Sequence, residues 1–160
     1  MKKFMLCSLI ALTAACTAAN HGTLVTGQAL GEGFAEAKGV WNDGAAITVA
    51  AKSVPREGAL AVCGIWILED GSALTSSLHP RIVEAGAIRA GGETLVQNLG
   101  FLRRQPVGTD PATAQASCVT TDRAWDPAFE AVEISLPRQV FGGGIGSDEV
   151  RLSFRQISGR

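Results

Sequence analysis

Two stretches near the C-terminus alternate between apolar and polar positions. In "AVEISLP", Val132, Ile134 and Leu136 fall on one side and Glu133 and Ser135 on the other. In "VRLSFRQI", Val150, Leu152 and Phe154 alternate with Arg151, Ser153 and Arg155. Period two marks a strand with one covered and one wet face. A third run, "ALAVCGIWIL" from Ala59 to Leu68, is apolar on both sides and β-branched at Val62, Ile65 and Ile67. It predicts a central strand covered on both faces.

The remaining chain fits around these three. "FAEAKGVW" runs into "NDG", a hairpin signal, and "AAITVAAK" is its partner, with Ile47, Val49 and Ala51 on one face and Trp41 packed against the pair. "SVPREG" reads as a loop, and "EDG" closes the central strand. "SALTSSLHPRIVEAG" is the one helical candidate. Pro80 suits a first helical position and Gly86 an end, so the stretch is expected as two short turns. "AIRAGGETLVQNLGFLRR" reads as a hairpin around "AGG", with Leu95, Gln97 and Leu99 on one side and Val96 and Asn98 on the other. "QPVGTDPATAQ" is a loop, "ASCVTT" a short strand, and "DRAWDPAF" a turn anchored by Trp125 and Phe129. With a first weak strand over residues 24–30, this makes about eight strands. The predicted class is mainly β: an antiparallel β-sandwich or small barrel with one short helical insertion. No internal repeat is apparent.

Composition agrees. In 160 residues, 46% are hydrophobic, only 18% are charged and 19 are glycine, which favours a β-rich globular domain over a helical bundle or a disordered chain. The net charge of −1 provides no basic face, so nucleic acid is not an expected partner.

The first sixteen residues, "MKKFMLCSLIALTAAC", have the three parts of a secretory signal. Lys2 and Lys3 form the positive start, Phe4 to Ala14 an apolar stretch too short to span a bilayer comfortably, and Ala14 and Ala15 the small residues before a cut. The segment "LTAAC" resembles the lipobox of bacterial lipoprotein precursors. That resemblance implies cleavage before Cys16 and attachment of lipid to its sulfur. Residues 1–15 are then the signal peptide, 16–31 a lipidated N-terminus and tether, and 32–160 a single β-rich domain. Thr17 follows Cys16 in place of the Asp that marks inner-membrane retention, which implies a lipoprotein held at the outer membrane and facing the periplasm. Thr13 stands where the pattern prefers Leu. Cleavage after Ala18 or Ala19, giving a soluble periplasmic or secreted protein, is the main alternative, and an uncleaved anchor the lesser one. Without Lys2 and Lys3 the mature chain carries twelve basic and fifteen acidic residues, a net charge of −3.

Cys7 leaves with the signal, and Cys16 is lipidated or, on cleavage after Ala18, removed. Cys63 and Cys118 remain, and two cysteines in an exported domain predict one disulfide. Closing a loop of about 55 residues stabilises the fold by up to about 4 kcal/mol in the chain-entropy account. A nucleophilic Cys63 would need a base. The chain offers only His21, beside the lipidation site, and His79, ahead of Pro80. "CGIW" shares only its first residues with the papain-like pattern, and no histidine follows His79. No Cys or His pair stands at metal-ligand spacing, so neither a metal nor another cofactor is expected.

Other features carry chemistry only weakly. "GGGIGSDE" has the glycines of a phosphate loop but is followed by a strand, not a helix, and lacks the Walker lysine. The carboxylates Glu69 and Asp70, Asp122 and Asp126, and Asp148 and Glu149 lie at turns, where they serve capping and solvation. Ser72, Ser76 and Ser77 lie near His79 without a nucleophile elbow. Arg103 and Arg104 form a local positive spot at a strand end. Trp66 belongs to the core, whereas Trp125 in "WDP" is a candidate for exposure.

The expected function is that of an exported envelope lipoprotein, tethered to the membrane by its lipid, acting without catalysis as a structural or protein-interaction module on an envelope protein partner. A periplasmic hydrolase using His79 with a loop serine or carboxylate is one alternative. A small-ligand or glycan binder is the other. His79 and Trp125 are the candidate binding residues.

Overall fold

A computed structural model describes residues 24–69, 87–96, 102–126, 131–141 and 148–155. Cys16, His21, His79, the helical candidate over 72–86, Phe129 and the glycines of 142–147 lie outside the described residues. Among the described residues, ten strands form two sheets. The larger holds β1 (Leu24–Ala29), β8 (Gln115–Ala124), β4 (Ala59–Leu68), β3 (Ala46–Arg56) and β2 (Ala35–Val40), in that order, with β7 (Arg103–Gln105) also on β4. The smaller holds β10 (Glu149–Arg155), β9 (Ala131–Pro137), β5 (Ala87–Ala90) and β6 (Glu93–Val96). This is the mainly β, two-sheet antiparallel sandwich expected from the alternation. No helix among the described residues is long and apolar enough to cross a membrane.

The turns explain the order. Trp41 and Ala45 close the β2–β3 hairpin, with Gly44 at φ 84°, a conformation that favours glycine. Asp43 Oδ1 accepts from the Ala45 amide at 3.1 Å. The β3–β4 turn differs from expectation. "SVPREG" is not a loop: β3 continues to Arg56, and Glu57 and Gly58 alone make the turn, with φ 51° and 80°. Both central residues at positive φ match the right-handed twist of the strands they join. Pro55 concealed this extension. It is tolerated because β2 pairs with β3 only as far as Ala51, which leaves the rest of β3 as an edge.

Two further strand assignments change. β8 extends through "TDRA" to Ala124, so the turn at "DRAWDPAF" begins later than its polar residues suggested. "RRQ" is a three-residue strand lying parallel to β4 at Ile65–Ile67, beyond Gly64, where β8 stops pairing. Gln105 Nε2 ties the two segments by donating to the Gln115 carbonyl at 3.1 Å. β1 pairs along β8 from Leu24, so the sheet includes part of the 16–31 segment.

The main core lies between the sheets. Leu60, Val62, Trp66 and Leu68 of β4 meet Val132, Ile134 and Leu136 of β9 and Leu152 and Phe154 of β10, all buried. Phe141 sits between two indoles, 5.3 Å from Trp41 and 4.9 Å from Trp66 by ring centroid. Both indole N–H groups are satisfied at 2.9 Å, Trp41 donating to the Leu136 carbonyl and Trp66 to the Leu102 carbonyl. One corner of the sandwich is held by polar ties. Arg138 Nε contacts Asp43 Oδ2 at 2.7 Å, and the guanidinium lies 5.2 Å above the Trp41 ring. The Asn42 amide donates to Asp148 Oδ2 at 2.7 Å.

Gly64 of β4 packs against the Leu102 side chain. A Cβ there would lie 2.8 Å from Leu102 Cδ2 and 3.2 Å from the Ala50 carbonyl oxygen, the latter part of the backbone. Gly64→Ala is expected to destabilise the domain by roughly 1–3 kcal/mol through overpacking, read as a lower urea midpoint at unchanged slope.

The Arg138 guanidinium, with the Ala45 amide, holds the Asp43 carboxyl below its ordinary value of 3.8. A depressed folded value means the contribution is present at neutral pH and is lost as pH falls below about 4. Asp43→Asn should therefore flatten the acid limb of the stability curve, measured as urea midpoints between pH 7 and pH 3. An unchanged acid limb would refute the assignment.

Candidate functional site

The disulfide joins residues that face each other across β4 and β8. Cys63 is opposite Cys118 in the antiparallel register, and the two form the expected bond. The same cross-strand row continues through Lys52 on β3. The bond does not lie between the sheets. It belongs to a second apolar cluster on the outer face of the larger sheet, with Leu30, Ala50, Ile65, Ala114 and Ala116, flanked by Phe34 and Val54. The chain after β1 covers part of this face: the Leu30 amide donates to the Ala114 carbonyl at 2.9 Å and the Gly31 amide to the Ala112 carbonyl at 3.0 Å.

Beside that cover the outer face opens into a hollow of about 320 Å³. Its apolar lining is Ala29, Val54, Pro55, Ala116 and the two cysteines; its polar lining is Gln28, Lys52 and Arg56. Lys52, Val54 and Arg56 are alternate residues of one strand and share a face. Lys52 Nζ donates to the Glu32 carbonyl at 3.3 Å and lies 3.5 Å from where a Cβ on Gly31 would stand. Among the described residues, no carboxylate lines the hollow.

A second hollow, of about 330 Å³, lies on the smaller sheet, lined by Arg89, Gly91, Gly92, Glu133, Arg151 and Ser153 among others. Arg89, Glu133 and Ser153 form one cross-strand row. Here the charges are mixed, and Arg151 Nε is paired with Glu149 at 2.8 Å. A third depression, at Leu68, Arg104, Gln105, Pro106 and Val107, is edged by Arg104, which lies 5.7 Å from the Trp66 ring centroid.

The expected site residues are distributed as follows. Cys63 and Cys118 are together. Trp125 is half-buried against the main core, its backbone N–H bonded to the Gly58 carbonyl at 2.9 Å, and it lines none of these three hollows. Cys16 and His79 lie outside the described residues, as do Ser72, Ser76, Ser77 and Asp70. Glu69 accepts from Lys38 at 2.6 Å and from Thr48 at 3.0 Å, and these partners, Lys38 first, lower its carboxyl from the ordinary value. Among the described residues, no group of three or more His, Cys, Asp or Glu side chains is placed to hold a metal. Arg56 is hidden because "SVPREG" reads as a loop, and Lys52, the last residue of the predicted strand, is left with no charged neighbour on its face. The available signal was their alternation with Val54 once β3 is carried through Pro55.

Comparison with known proteins yields no match to a family model, a curated protein or a solved structure.

Removing the disulfide by Cys63→Ala with Cys118→Ala should destabilise the domain by about 2–4 kcal/mol without changing the fold, read by urea titration and circular dichroism. Thiol labelling of the denatured, unreduced wild-type protein should find neither cysteine free, and labelling of either one would overturn the pairing.

Proposed function

We propose that this chain is an exported envelope lipoprotein, anchored through Cys16 and facing the periplasm from the outer membrane, whose domain acts by non-covalent binding. The observation that carries the binding reading is the hollow over the disulfide. It combines a covalently tied floor with cations that no carboxylate of the lining neutralises among the described residues. A surface built on register-locked strands binds without ordering a loop, and that lowers the cost of association.

The anchoring reading rests on "LTAAC" after a short apolar stretch. A disulfide-tied domain fits an oxidising compartment. From Cys16 to the first residue of β1, Leu24, the chain reaches at most about 28 Å, so an acylated Cys16 would hold the sandwich close to the bilayer surface. An envelope protein is then the expected partner, met within that distance of the membrane.

Cys16→Ser is expected to shift the protein from the membrane to the soluble fraction, with loss of metabolic labelling by a fatty acid. Unchanged fractionation would refute the anchor. Crosslinking on native membranes, compared with the Cys16→Ser protein, should capture an envelope partner that depends on the anchor.

A further inference from the structure

We infer that the hollow floored by the Cys63–Cys118 disulfide binds a small organic carboxylate carried on a short, unbranched apolar tail. Three observations lead to this ligand class. The first is the floor. Ala29, Val54, Pro55, Ala116 and the two cysteines offer carbon and sulfur, and they come from four strands at fixed register. Such a floor rewards an apolar body and does not need to reorganise to receive it.

The second is the rim. Lys52 and Arg56 stand four positions apart on one face of β3, roughly 13–14 Å along the strand at 3.2–3.4 Å per residue, with Val54 between them. Two long, flexible side chains at that spacing can converge on one anionic head above Val54. Lys52 holds only a neutral carbonyl, and no ion pair involves Arg56 among the described residues. Three other cations are held in ion pairs, Lys38 with Glu69, Arg138 with Asp43, and Arg151 with Glu149, and none of those three is available to an incoming anion in the same way. The third is that no carboxylate lines the hollow among the described residues, so the charge its lining presents to an entering anion is that of Lys52 and Arg56.

These features exclude other ligand classes. Two cations are too few for a nucleic acid, which needs an extended basic stripe. A tailless anion would form only exposed ion pairs, which are weak. A neutral apolar molecule would leave the cations unused. The hollow, about 320 Å³, is near the lower limit of small-molecule sites and holds about ten water volumes, which suits a head and a tail of eight to ten heavy atoms.

The inference deepens the reading of the domain as a binding module and is independent of the lipid anchor. The test uses the full chain carrying Cys16→Ser, titrated with sodium octanoate, sodium acetate and 1-octanol below their aggregation limits and followed by methyl NMR. Octanoate should give saturable shifts at the Ala29, Val54 and Ala116 methyls. Acetate and 1-octanol should each bind at least tenfold more weakly. Lys52→Met and Arg56→Met, which keep an apolar stem and remove the charge, should each weaken octanoate about tenfold, with unchanged circular dichroism. Octanoate shifts that do not saturate, or that fall away from these methyls, would overturn the inference. So would 1-octanol binding as tightly as octanoate, or full binding by the two Met variants. Failure here with normal Cys16-dependent fractionation would remove the ligand and leave the anchor; the reverse outcome would remove the anchor and leave the ligand.

Discussion

Strand β4 must be covered on both faces, and the rest of the sandwich is arranged to do so. Its residues alternate between two cores. Leu60, Val62, Trp66 and Leu68 enter the space between the sheets, whereas Cys63 and Ile65 enter the smaller cluster outside. A slip of one residue in pairing would exchange the two sets. Hydrophobic patterning cannot prevent that slip by itself, because every residue of the run is apolar. The bond from Cys63 to Cys118 does prevent it, since it locks the register of β4 against β8 at one row. The disulfide thus supplies the register information that the side-chain pattern of this strand lacks.

The opposite corner is fixed by different means. Trp41, Phe141 and Trp66 interleave beneath Arg138 and Arg104, and each indole N–H bonds to a carbonyl from another element. The Asp43–Arg138 pair and the Asn42–Asp148 bond join the β2–β3 turn to the end of β9 and the start of β10. Exposed ion pairs contribute little stability individually. Their effect here is geometric: Arg138 is placed over Trp41, and the indole is kept against Leu136.

Much of this was legible in the amino-acid pattern. Val132, Ile134 and Leu136, and Leu152 and Phe154, are buried because one face of each of β9 and β10 enters the core, while Arg151, Ser153 and Arg155 are exposed; Val150 is half-buried, and Ser135, expected on the wet side, is buried as well. The cysteine pair was legible by elimination. What was hidden had local causes. Pro55 concealed four further residues of β3, Asp122 and Arg123 concealed the end of β8, and the three residues of β7 are too few to show any period. The hollow was not legible at all. Its lining is drawn from β1, β3, β4 and β8, and only register brings Lys52 beside the disulfide.

The rim also guards an edge of the sheet. Beyond Ala51, β3 has no partner on the β2 side, and lysine, proline and charge are what exposed edges carry to prevent pairing with another chain. Edge protection accounts for Pro55 and for the presence of charge. It does not account for the side of the sheet on which the charge stands. A charge at any position of residues 52–56 would serve as a gatekeeper, but Lys52, Val54 and Arg56 all fall on the disulfide's face, and an uncharged edge would leave that face an ordinary apolar depression. Lys52 and Arg56 therefore do two things: they guard the open edge of β3, and they turn the apolar surface above Cys63 and Cys118 into one that selects a negative charge.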